Sequence, residues 1–100
     1  MVGSGDNAAS ATVTLRGDLD LATAPIVDER LGELVERGQI HIVVDLGEVT
    51  FCDSMGINIL VRAKRRCEQH GGSFSVSRVS GEVKQILRIA GLLDILTSSR

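Results

Sequence analysis

Residues 40–46, IHIVVDL, are the most apolar run in the chain, and helical spacing resumes soon afterwards, beyond Ser54. Such a run reads as a central strand covered on both faces. The residues before it have other periods. In ATVTLRG, residues 11–17, Val13 and Leu15 point one way and Thr12, Thr14 and Arg16 the other, as on a half-buried strand. Between these two segments Ile26, Val27, Leu31, Leu34 and Val35 form a helical apolar stripe. Pro25 suits the first helical position, Asp28 and Glu29 sit near the positive end of the dipole, and Arg37 and Gly38 close the helix. A strand, a helix and a strand in that order require a crossover, so the sheet is at least partly parallel.

The alternation of periods continues to the end. Leu60, Ala63 and Cys67 recur on one side of a second helix that stops at HGG, residues 70–72. SFSVSRV, residues 73–79, alternates again and buries Phe74 and Val76. Ser80 is placed to cap a short helix with Val83, Ile86, Leu87 and Ala90 inward and Gly91 at its end. LLDILTSSR, residues 92–100, reads as a last short strand, and MVGSGDNAAS, residues 1–10, as a flexible start. The expected order is strand, helix, strand, helix, strand, helix, strand, in one α/β domain over residues 1–100.

Composition narrows what such a domain does. With 100 residues, 43% hydrophobic and 24% charged, the chain can bury one core. Phe51 and Phe74 are its only aromatics, which makes the core aliphatic and leaves no platform for stacking nucleobases. A formal net charge of −2 offers no polyanion surface, and RAKRR, residues 62–66, reads as a solvated helix face. Cys52 and Cys67 lack metal-ligand spacing and fit a reducing compartment. The start has no basic segment leading into an apolar one, and no apolar stretch nears the roughly 20 residues of a membrane span. A cytoplasmic setting is expected, with no nucleic acid, membrane, cofactor or metal involved.

FCDSMGIN, residues 51–58, places Ser54 where the chain leaves a central strand and enters a helix. Open α/β sheets put their sites at such carboxyl ends. On spacing alone Ser54 is a helix cap, its hydroxyl accepting from a free backbone N–H, with Asp53 as a turn residue. The acid beside the hydroxyl and Met55 after it are not needed for that role.

The longer stretch VVDLGEVTFCDSMGINIL, residues 43–60, resembles the signature of bacterial anti-sigma factor antagonists, small members of the STAS family. LRGDLDLATAP, residues 15–25, is similar to an earlier turn of that family, and AGLLDIL, residues 90–96, to a late element. The resemblance covers residues 13–96. It implies the STAS fold: a mixed, largely parallel sheet with helices packed on it, here with the first strand and last helix shortened.

The resemblance also implies a protein switch and not an enzyme. Such domains bind an anti-sigma factor that is also a serine kinase, which frees a sigma factor. The kinase phosphorylates the serine after the motif aspartate, and a phosphatase removes the phosphate. Carried over, Ser54 is the phosphoacceptor. Asp53 is its acidic neighbour, and Asp20 and Thr23 lie in a second loop of the partner-binding surface. Met55, Asn58 and Arg62 share a helix face apart from Leu60, Ala63 and Cys67, and complete that surface with Gly56. Met55 either packs against the partner or folds back over the sheet. Gly56 clears the way either for a kinase or for the neighbouring strand. Met55 stands where the family often has a small hydroxyl residue and Asn58 where it commonly has glycine, which bears on the partner's identity. The chain stops where relatives continue into a final helix, and a monomer or weak dimer is expected.

Two other classes use the same residues. A hydrolase would need a base beside Ser54, but there is no G-x-S-x-G elbow. His41 reads as a packed or edge residue and His70 as a helix C-terminal charge. A phospho-aspartate receiver would use Asp45 at a strand end with Asp18 and Asp20 as a metal pair, yet Lys64 and Lys84 are misplaced for it. A nucleotide-binding module lacks its glycine-rich loop after a strand.

Overall fold

The computed structural model of the chain describes residues 2–7, 9–79 and 81–97. The elements are β1 (Val2–Asn7), β2 (Ser10–Leu19), α1 (Ala24–Glu36), β3 (His41–Cys52), α2 (Ser54–Gln69), β4 (Ser73–Ser77), α3 (Gly81–Ile89) and α4 (Leu93–Thr97). The strands form one sheet in the order β1-β2-β3-β4. β2, β3 and β4 are parallel, joined by the crossovers through α1 and α2, and β1 pairs antiparallel with β2. The sheet is mixed and largely parallel, as expected.

Register explains where the core lies. Ala11 pairs with Ile42 and Ile42 with Phe74; one step on, Val13 pairs with Val44 and Val44 with Val76. All six are buried on one face. That face packs with Leu31, Leu34, Leu60, Ala63, Val83, Leu87 and Leu96 from the helices. α1 lies on α2, α2 on β3 and β4, α3 on β3, and α4 on β4 and α2. Each of the leucine, isoleucine, valine and phenylalanine side chains among these, fully buried, stabilises the fold by about 1.5–3 kcal/mol.

Several expectations are corrected. The run 40–46 is not covered on both faces: Ile42, Val44 and Leu46 are buried, whereas Val43 and Asp45 on the other side are half-buried. The helices pack against the face of Ile42 and Val44, and among the described residues the opposite face has no comparable layer. β3 also runs on to Cys52, so Asp45 lies within the strand and not at its end. Its Oδ1 accepts from Gly47 N at 2.8 Å and faces Arg78 Nε at 3.3 Å, which removes it from any receiver-like role.

The opening residues, read as flexible, form β1, because β2 offers an open edge of backbone groups for them to pair with. Residues 92–96 form no strand. Leu92 and Leu96 are four apart, Leu96 N donates to Leu92 O at 2.9 Å, and Leu96 is fully buried: a helical turn fits the spacing. Ile26 is 62% exposed and Ala90 is exposed, so each drops from its apolar stripe, and Ala24 takes an inward place in α1. Ser80, expected as the α3 cap, lies outside the described residues.

Cys52 and Cys67 are free and buried in this core. Burial pushes both thiols up, from an ordinary 9.0 to about 11, with Asp53 adding to the effect at Cys52 and Glu68 at Cys67. At pH 8 roughly one thiol in a thousand is then ionised. Neither cysteine is expected to react with iodoacetamide at pH 8 until denaturant is added, as intact-mass measurement would show. Because folding favours the protonated thiols, this contribution to stability is intact below pH 9 and lost as pH rises through about 11.

Candidate functional site

The β2 and β3 carboxyl ends release two loops side by side. Asp53 ends the β3 segment with extended backbone (φ −100°, ψ −172°), the conformation of a helix N-cap. Its Oδ1 accepts from Met55 N at 2.9 Å and from Gly56 N at 3.0 Å. The cap of α2 is therefore Asp53 and not Ser54, a correction with a simple cause. The extended residue is the one whose side chain can turn back onto the first free N–H groups, and Ser54 is already helical.

Asp53 also reaches the other loop. Its Oδ2 accepts from Leu21 N at 3.1 Å, and its own N–H donates to Leu19 O at 3.2 Å. Relieved of capping, Ser54 is exposed at the first position of α2, and its hydroxyl bonds to none of the described residues.

The β2–α1 loop is organised from within. Asp20 Oδ1 accepts from Ala22 N at 3.0 Å and Thr23 N at 3.1 Å. The Thr23 hydroxyl accepts from Asp20 N at 2.9 Å and donates to Asp18 O at 2.8 Å. Asp20 and Thr23 are half-buried and occupied with this turn, so their first task is to shape the loop that Asp53 holds.

Gly56 is buried. A Cβ there would collide with Leu19 O and meet Cys52 Sγ and Leu19 Cγ at 2.8 Å. The missing side chain makes room for β2 and not for a kinase. Met55 is 38% exposed and does not fold back over the sheet. Asn58 and Arg62 are exposed on the same helix, and Arg62 Nη1 reaches Asp28 Oδ2 on α1 at 2.8 Å. The basic segment 62–66 is thus a helix face with partners: Lys64 Nζ pairs with Glu68 at 2.8 Å.

Sequence reasoning missed three residues of this end of the molecule. Leu21 (69%), Ile26 (62%) and Phe51 (43%) are exposed apolar side chains following or flanking the two strand ends. Leu21 carried a signal, an apolar residue in an otherwise small and polar turn. The histidines lie elsewhere: His41 begins β3, at the far end of the strand from Ser54, with Nδ1 3.0 Å from Ser73 Oγ. His70 is the α2 C-cap, its Nδ1 2.9 Å from Arg66 O. Among the described residues no three His, Cys, Asp or Glu side chains are grouped to hold a metal ion, and no helix is long and apolar enough to cross a membrane.

This geometry matches known proteins. The family described as "Mlab, STAS domain" matches residues 3–97. The anti-sigma-B factor antagonist of Bacillus subtilis (strain 168) is 30% identical over 87 residues, which are 87% of this chain and 79% of that protein. The anti-sigma F factor antagonist of Paenibacillus polymyxa is 33% identical over 85 residues, 84% of this chain and 73% of its own length. In fold, the chain superimposes on the anti-sigma factor antagonist SpoIIAA in its unphosphorylated form with a TM-score of 0.86, at 17% identity, over 98% of this chain and 86% of that one. The phosphorylated form of SpoIIAA from Bacillus gives 0.74 at 15% identity, over 98% and 89%. With its mixed sheet, its helix started by an aspartate and its exposed serine, the chain is a STAS domain and belongs to the family of bacterial anti-sigma factor antagonists.

Proposed function

We propose that this domain binds an anti-sigma factor through the face around Ser54, so freeing a sigma factor, and that phosphorylation of Ser54 by that same partner ends the complex. The observation that carries this reading is the Ser54 hydroxyl: exposed, bonded to none of the described residues, at a helix start flanked by the exposed Leu21, Phe51 and Met55. In the reaction the Oγ–phosphorus bond forms, the terminal anhydride bond of ATP breaks, ADP leaves, and the hydroxyl proton passes to the kinase or to water. A phosphatase hydrolyses the ester and restores the serine. The chemistry belongs to the partners, and the chain supplies an acceptor and a binding face. Such a switch acts in the cytoplasm, where the sigma factor and ATP are found.

The helix start suits the modified state as well. A phosphoserine carries about −1.5 to −2 charges. At the first position of α2 it meets the positive end of the dipole, so the folded domain accepts it.

Incubation with the anti-sigma kinase of the same organism and ATP, followed by peptide mass spectrometry, tests the assignment. One phosphate is expected, on Ser54, while Ser54→Ala still binds the kinase and takes no label. Phosphate mapping to another residue rejects the site.

A further inference from the structure

Asp53 stands beside the serine like an acidic recognition element, yet both oxygens of its carboxylate are already engaged within the domain. Oδ1 is engaged by Met55 N and Gly56 N, and Oδ2 by Leu21 N. The first pair starts α2. The third bond does something a cap does not require: it joins segments 32 residues apart and fixes the loop that carries the most exposed apolar side chain at this end, Leu21. The Asp53 N–H to Leu19 O bond secures the same loop one residue before its turn. Asp20 and Thr23 make the loop rigid internally, but their side-chain bonds stay within residues 18–23 and set no position relative to Ser54.

We infer that Asp53 is a positioning residue for partner recognition: its second oxygen holds Leu21 beside Ser54, so that the apolar contact and the phosphoacceptor are presented as one surface. This rests on the functional reading above and gives its acid a different task, to arrange the face and not to touch the partner.

Asp53→Asn separates the two duties. Asparagine keeps one acceptor oxygen for the helix N–H groups, while its NH2 cannot accept from Leu21 N. The same outcome is required of Asp53→Ser, which retains a good cap residue and has no second oxygen. In the free domain, amide exchange at Leu21 is expected to accelerate about tenfold, the scale of one lost charge-assisted hydrogen bond, with Met55 and Gly56 still protected and the melting temperature lower by several degrees, at most about 10 °C, the domain staying folded at about 25 °C. Affinity for the purified anti-sigma kinase is expected to fall about tenfold. Leu21→Ser should weaken binding by itself, and combining it with Asp53→Asn should add little, since both remove the same contact.

Unchanged exchange at Leu21 in both variants overturns the clamp, as does faster exchange with undiminished affinity. Fully additive losses overturn it too, because Asp53 would then meet the partner directly. A wild-type domain that fails to bind the kinase overturns the functional reading and this inference together, whereas normal wild-type binding with any of the preceding results overturns the inference alone.

Discussion

Ser54→Asp is expected to bind the anti-sigma factor at least tenfold more weakly than wild type, with a circular dichroism spectrum and melting temperature close to wild type. The two halves have separate causes. Ser54 is exposed at the first position of α2, its hydroxyl bonded to none of the described residues, so the fold loses nothing when that side chain changes. A carboxylate there also lies at the favourable end of the helix dipole, an effect of about 0.3–1 kcal/mol. A partner seated on this face meets a new charge in place of a small hydroxyl. Two unit charges about 4 Å apart interact by roughly 4 kcal/mol at an effective dielectric of 20. Since about 1.4 kcal/mol is tenfold in affinity, a third of that repulsion is enough. Isothermal titration against the purified kinase reads the first half, and thermal melting the second. Unfolding of the variant would make Ser54 a structural residue, and undiminished binding would move the interface elsewhere.

Gly56→Ala is expected to act in the opposite way, on the fold first. In an ordinary helix interior this change stabilises by about 1 kcal/mol, because alanine loses less backbone entropy. Here the added Cβ would run into the Leu19 carbonyl and press on Cys52 Sγ and Leu19 Cγ, both at 2.8 Å. A side-chain tip can swing aside, but the Leu19 carbonyl is backbone and accepts the Asp53 N–H, so it cannot yield without disturbing the junction of the two loops. Overpacking of this kind costs about 1–3 kcal/mol, which lowers the melting temperature of a domain this size by roughly 4–8 °C per kcal/mol. Chemical denaturation checks it: the midpoint falls with an unchanged slope. A stabilised Gly56→Ala would mean that the helix does not press on β2 as described.

Most of the architecture was legible because the periods are clean. The alternation in residues 11–17, the stripes Leu31, Leu34, Val35 and Leu60, Ala63, Cys67, and the strand Phe74–Val76 each have one apolar face and one place to put it. Where the reading failed, local pattern was outweighed by distant partners. Residues 2–7 look like part of a flexible start, and what makes them a strand is the free edge of β2. Residues 92–96 are short and mostly apolar, a pattern equally suited to either period, and the fit of Leu96 into the core decided for a helix.

The sequence by itself determined that a serine follows an aspartate where a strand gives way to a helix, since both periods and the acid–hydroxyl pair are local properties of residues 40–67. What the second oxygen of Asp53 holds and what the glycine accommodates were decided only when β2 came to lie against β3. Leu19 and Leu21 are more than thirty residues from Asp53 in the chain, and no local rule says that their carbonyl and N–H will claim its backbone and second oxygen. A hydrogen bond across that separation exists only after the sheet has closed the distance, whereas the cap that relieves Ser54 is made with Met55 and Gly56, close neighbours in the chain.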